Sequence, residues 1–288
     1  MARDATSGDL GVAVHSHWFS VGSVVSWARS GAGAVATQSV VEPAYGPRTL
    51  DRLGAGEPAQ EALQDLLQAD ELARVRQVGV VDREGRVAVH TGADCIPVAG
   101  HLAGDGFACQ ANMMTAEGVP EAMAEAFSAA DGPLPERLVA ALEGAERAGG
   151  DVRGRQSAAV VVVPAEGDPW RRSVDLRVED HADPVTELRR VLVLARAYQL
   201  AGRADELIAA GDAAQAGRLY REASELAPES DELLFWAGLA QADAGELDAG
   251  VASIRRAADV HAGWLTLLDR LSPEFAPAGE AVRRALGR

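Results

Sequence analysis

Two patterns of apolar residues divide the chain. Up to Val178 they fall in short runs rich in Val and Ala, bounded by Gly or by polar clusters. Such runs read as strands, some of them buried on both faces. They cover Gly11–His15, Ala34–Thr37, Val78–Val81, Val87–Thr91, Phe107–Ala111, Ala158–Val163 and Val174–Val178. Asp82-Arg83-Glu84-Gly85 supplies a hairpin turn between two of them, because Gly tolerates the positive φ such turns need. Helical spacing appears at Glu57–Ala69, where Ala62, Leu63, Leu66 and Leu67 share one stripe. It returns at Pro120–Ala130 and at Pro133–Ala148, the latter closed by Gly149-Gly150. Strands in neighbouring hairpins with helices grouped between them predict an α+β fold, helices covering mainly antiparallel sheets.

Past Val178 the pattern changes. Asp180-His181-Ala182-Asp183-Pro184 is a polar turn, and Pro184 suits the first turn of a helix through Leu188 and Leu192. From there to Arg288 only helical spacing remains. Gly211-Asp212, Ala216, Tyr220, Ala223 and Pro228 recur 34 residues later as Gly245-Glu246, Gly250, Ile254, Ala257 and Ala262. Small residues let paired helices approach, and the large one fills the gap. The period and pattern resemble the tetratricopeptide repeat. Stacked arrays need three or more units, so the helices around 185–209 and 264–287 are expected to serve as caps. The expected division is 1–195 and 196–288.

Charge narrows the function classes. With 43 acidic against 27 basic residues the net charge is −16, which argues against phosphate neutralisation in nucleic acid and against an anionic membrane surface. The sequence contains no lysine, so a P-loop lysine and a Schiff-base lysine are excluded. Cys95 and Cys109 make neither a disulfide framework nor a zinc spacing. The opening MARDATSGDL lacks a signal-peptide pattern, and no apolar run approaches a membrane span. A cytoplasmic protein with free thiols is expected.

Four stretches carry polar chemistry. Gly11–Gln38 places His15, Ser16 and Arg29 among strand residues, where unpaired polar groups are costly. Gly106–Met114 runs a strand into Gln110 and Asn112. Gly149–Ala159 is a Gly/Arg loop with Asp151, Arg153 and Arg155. Val174–Asp183 ends in Asp180, His181 and Asp183.

GVAVHSHWFSVG, WARSGAGAVATQ, YGPRTL, RQVGVVDREGR, GFACQANMM, GGDVRGRQSAA and VDLRVEDHADPVTELRR together resemble the DUF1028 family of uncharacterised bacterial and archaeal proteins, over roughly residues 1–195. The resemblance implies an N-terminal nucleophile (Ntn) hydrolase-like domain, a four-layer αββα sandwich of two antiparallel sheets between helix layers. It also implies hydrolysis of an amide bond in a small molecule, with no cofactor. The family typically begins with a strand like M-T-F-S-I-V-A-R-D, whereas this chain begins Met1-Ala2-Arg3-Asp4. The first strand and its Thr are therefore expected to be missing, the true start a few codons upstream, and the chain as written inactive.

Under this reading each candidate keeps two meanings. A free α-amine, of pKa about 7.7–8.0, can act as the base, but Met1 has no hydroxyl or thiol to attack with. Arg29 either lowers the pKa of that amine or forms a structural salt bridge. His15 and Ser16 either adjoin the nucleophile or are a satisfied histidine and a turn cap. Asn112 is an oxyanion donor or a turn residue, and Cys109 reads as a small buried residue. Gln38, Asp151, Arg153 and Arg155 are candidate substrate-binding residues, the last three able to hold a carboxylate or to form an ion-paired loop. Asp180, His181 and Asp183 have metal-ligand chemistry but equally suit a helix start. The rival to the enzyme is a non-catalytic binding or assembly protein. In either case the helical tail is expected to recruit a protein partner or to self-associate.

Overall fold

A computed structural model describes all 288 residues, which form two compact units, Met1–Leu192 and Val193–Arg288. In the first unit the strands are β1 (Ala2–Arg3), β2 (Leu10–Ser16), β3 (Ser26–Arg29), β4 (Gly33–Ser39), β5 (Arg76–Asp82), β6 (Val87–Thr91), β7 (Gly100–Gly104), β8 (Phe107–Ala111), β9 (Ser157–Val163) and β10 (Val174–Val178). They make a six-stranded sheet in the order β10-β9-β2-β1-β8-β7 and a four-stranded sheet in the order β3-β4-β5-β6. Every pairing is antiparallel.

The two sheets face each other. Leu10, Val12 and Val14 of β2, with Ala159 and Val161 of β9, meet Ala28, Ala34, Ala36 and Val81 from the smaller sheet. The alternate residues of β9 (Ala158, Val160 and Val162) point the other way, onto α4 (Val119–Ala129) and α5 (Leu134–Arg147) through Phe127, Leu134, Leu138 and Leu142. On the smaller sheet Val35, Val78 and Val80 pack beneath α2 (Tyr45–Gly54) and α3 (Ala59–Gln68) through Leu50, Leu53, Ala62 and Leu63. Burial on both faces explains why these strands read as unbroken apolar runs rather than as alternation.

Three strands escape the sequence pattern. β3 is the four residues SWAR, β7 is GHLAG with partly exposed positions, and β1 is two residues long. β1 corrects the expectation that the first strand is missing altogether. Ala2 and Arg3 lie in mid-sheet, Ala2 opposite Gly11 on one side and Phe107 on the other. α2 was also hidden, since YGPRTLDRLG contains two Gly and a Pro; Pro47 falls in its first turn, where proline is tolerated. A one-turn helix, α1 (Gly22–Val25), joins β2 to β3.

α6 (Pro184–Ala209) begins in the first unit, where Val185, Leu188 and Leu192 are buried. The second unit continues with α7 (Ala213–Leu226), α8 (Asp231–Asp243), α9 (Leu247–Val260), α10 (Gly263–Arg270) and α11 (Gly279–Ala285). Asp212 caps α7 by accepting from the Gln215 amide, and Ser230 caps α8 by accepting from that of Leu233. The recurring positions that fall within the helices are buried: Ala216, Tyr220 and Ala223 in α7, and Gly250, Ile254 and Ala257 in α9. Gly250 is required there, because a Cβ would lie 2.4 Å from the Gly238 carbonyl oxygen of α8. No helix is long and apolar enough to cross a membrane.

Leu10 is fully buried between the sheets, and Leu10→Ala is expected to lower unfolding free energy by about 2–5 kcal/mol, measured by chemical denaturation. In the second unit Gly250→Val is expected to destabilise by about 1–3 kcal/mol. Loss of helical circular dichroism at lower temperature checks it.

Candidate functional site

Upstream of β1 the lane between β2 and β8 holds no strand. A cavity of about 410 Å³ occupies it, with Met1 and Cys109 at its base and Ala13–Ser16 and Gln110–Asn112 along its sides. Its lining includes Ala36 and Gln38 of the facing sheet and also Met123, Leu142 and Ala145 of the helix layer. The cavity thus passes through the plane of the larger sheet. The Met1 amine is buried, donating to the Ala108 carbonyl at 3.1 Å; burial lowers its pKa, with Cys109 opposing. Burial likewise pushes the Cys109 thiol up, which keeps it a poor nucleophile.

Gln77 organises the polar wall. It is fully buried on β5, and its Oε1 accepts from Gln38 Nε2 at 2.7 Å and from Asn112 Nδ2 at 3.1 Å. Its Nε2 donates towards the Ala111 carbonyl at 2.9 Å, the Gly100 carbonyl at 3.1 Å and Thr91 Oγ1 at 2.9 Å. Each amide nitrogen of Gln38 and Asn112 carries a second N–H beyond the one given to Gln77. Gln110, also buried, donates from Nε2 to the Ala36 carbonyl at 3.2 Å, while its Oε1 has no partner. Sequence reasoning missed Gln77. A glutamine inside the apolar run RQVGVV was the available signal, since a buried amide needs partners.

The second wall is ionic. Asp151 accepts from Arg153 Nε at 3.0 Å and Nη2 at 2.6 Å, and from the Arg153 amide at 2.9 Å. Burial alone would raise the Asp151 pKa, but the Arg153 hydrogen bonds outweigh it and hold the carboxyl below its ordinary value. Arg153 Nη2 also reaches Ser16 Oγ at 3.5 Å. His15 Nε2 approaches Glu146 Oε1 to 2.9 Å, an alignment that falls short of a hydrogen bond. The His15 ring is the main influence lowering the Glu146 pKa, with Arg155 adding to it.

His15, Ser16, Gln38, Asn112, Asp151 and Arg153 all line the cavity. Arg29 does not join them. It sits at the end of β3, paired with Asp51 at 2.8 Å and bonded to the Leu50 carbonyl, so it cannot tune the Met1 amine. Arg155 also stands outside the lining, held by Glu146 and by Asp183 at 3.6 Å. A carboxylate-binding role for the Arg153 and Arg155 pair is corrected accordingly, since both guanidiniums already face carboxylates. Asp180 accepts from Gln156, and His181 Nδ1 accepts from the Asp183 amide. No three His, Cys, Asp or Glu side chains are grouped to hold a metal ion.

Two facing antiparallel sheets with a polar-walled cavity in the larger one define a mixed α/β protein. The model of a family of unknown function, DUF1028, matches residues 1–188; the chain belongs to that family. It is similar to the crystal structure of protein SPO2555 from Silicibacter pomeroyi, also described as DUF1028. That structure aligns at 29% identity and a TM-score of 0.61, covering 66% of this chain and 85% of that one. Among curated proteins none matches.

Gln77→Leu leaves Gln38, Asn112 and the Ala111 carbonyl without their buried partner. A loss of about 1–3 kcal/mol or more is expected in denaturant unfolding. Glu146 contributes stability above the ordinary glutamate range, and that contribution is lost as pH falls through its depressed folded value. Glu146→Gln should therefore be less stable than the parent at neutral pH, with the gap closing in acid. Thermal melts across pH check the sign.

Proposed function

We propose that the first unit is an Ntn-type hydrolase of the αββα class that cleaves an amide bond in a small molecule. The order of layers (helices, sheet, sheet, helices) supports the class. The observation that carries the reading is the open lane upstream of β1. Continuing the register of Ala2 with Gly11 and Phe107, the fourth residue ahead of Met1 falls opposite both Ser16 and Asn112. A Thr there, exposed as the first residue, would present a hydroxyl and a free amine among His15, Ser16 and Asn112. The hydroxyl attacks the amide carbon and its proton passes to the amine. The second N–H of Asn112 stabilises the oxyanion, and the leaving amine then takes the proton. Water hydrolyses the resulting ester. Met1 offers no attacking group, so the chain beginning at Met1 is inactive in this scheme.

The second unit is tetratricopeptide-like, its support being the 34-residue recurrence of buried small residues at Ala216, Ala223, Gly250 and Ala257. Arrays of this kind recruit protein partners.

A chain extended by four residues to begin with Thr is expected to turn over small amides, and the chain beginning at Met1 is not. Asn112→Ala in the extended chain should lower kcat by about 10²–10³-fold. An extended chain that folds without turning over any amide in a broad panel overturns the hydrolase reading.

A further inference from the structure

The charges and apolar surface around the cavity select a class of ligand. Arg153, the guanidinium in the lining, is bound side-on by Asp151, and His15 faces Glu146. Asp151, itself almost wholly buried with a side-chain exposure of 4%, already neutralises that guanidinium, so a carboxylate reaching its remaining N–H groups would set a second negative charge beside Asp151. The polar groups along the Gln77 wall are neutral. Gln38 and Asn112 each offer a second N–H, and the buried Oε1 of Gln110 lacks a donor. Donors beside an unmatched acceptor are the complement of an uncharged amide, which brings one C=O and at least one N–H.

The mouth supplies the other half. Trp18 is 61% exposed and Val40 47%, and both line the cavity. Met113, at the mouth, donates its amide to the Ile96 carbonyl and accepts from the Val152 amide. Ile96 and Val152 are likewise exposed, by 49% and 63%. The Trp18 carbonyl is fixed by the Ser157 hydroxyl at 2.5 Å, so the segment bearing that indole is held in place. Exposed apolar groups in the lining of a cavity mark a binding surface.

We propose that the site takes uncharged amides flanked by an aromatic or branched apolar group. The apolar group rests on Trp18 and Val40, and the amide is directed to Gln38, Asn112 and Gln110. This selectivity rests on the hydrolase reading only for the fate of the bound amide, and binding can be measured without turnover.

The test uses the full chain beginning at Met1 and a matched pair of probes, N-acetylphenylalaninamide and N-acetylphenylalanine, which differ in charge at one end. Isothermal titration is expected to show the neutral probe binding at least about tenfold more tightly than the carboxylate. Trp18→Ala should weaken the neutral probe about tenfold while leaving the melting temperature unchanged. Arg153→Gln, with Asp151→Asn to keep the pair neutral, should leave the preference in place. Equal or tighter binding of the carboxylate overturns the proposal. So does indifference of the neutral probe to Trp18→Ala, or failure of both probes to bind the folded chain. Turnover by the extended chain with no neutral preference would leave the hydrolase reading standing and remove this one. A neutral preference without turnover would do the reverse.

Discussion

The gap between two sheets packed face to face is filled here mostly by Ala and Val with no aromatic side chain between them, and much of the first unit follows from that closeness. The contact is built from Val, among them Val12, Val14, Val81 and Val161, interleaved with Ala28, Ala34, Ala36, Ala108 and Ala159, with Leu10 and Met1 beside them. Gly79 shows the tolerance: a Cβ there would come within 2.7 Å of Met1 Sδ and 2.8 Å of Gln110 Oε1. Larger residues lie on the outer faces, where Leu and Phe of the covering helices fill wider gaps. Apolar transfer is roughly proportional to area, so the helix layers hold the sheets and the sheets set the spacing.

Such spacing also makes a buried amide useful. Gln77 lies where the smaller sheet approaches β7 and β8, and it ties Gln38 and Asn112 to the carbonyls of Gly100 and Ala111. A fully connected buried network specifies one arrangement, because breaking a member strands the others in low dielectric. The cavity therefore has one stiff polar wall, one ionic wall at Asp151 and Arg153, and an apolar mouth. It is the stiffness of the first that would let an amide find both donor and acceptor without rearrangement.

Much of the strand content was legible because strands buried on both faces leave continuous apolar runs, as in AAVVVV of β9 and VGVV of β5. β3 and β7 were not, since SWAR and GHLAG are short and polar and owe their strand form to their neighbours β4 and β8. Composition concealed α2, whose Gly and Pro oppose helix while Tyr45, Leu50 and Leu53 bury one face of it. For the site, polar residues inside apolar runs pointed to His15, Ser16 and Asn112, and the loop before β9 pointed to Asp151 and Arg153. Arg29 misled because its strand lies in the facing sheet and its side chain turns outward to Asp51. Which arginines are already paired cannot be read from spacing, as the Arg155 contact with Glu146 spans two elements.

The absence of lysine has a consequence for the electrical character of the whole molecule. Arg side chains keep their charge at any pH a fold survives, so no side-chain cation is lost as the medium turns alkaline. The three tyrosines all have their ionisation pushed upward, mainly by burial, and burial does the same to Cys109. Above neutrality the field around the protein is therefore nearly fixed. Acidity acts differently, since 43 carboxylates outnumber 27 guanidiniums, and protonating them carries the surface from repulsion through neutrality. The molecule is buffered against base and tunable by acid, and its colloidal behaviour is controlled from one side of the pH scale only.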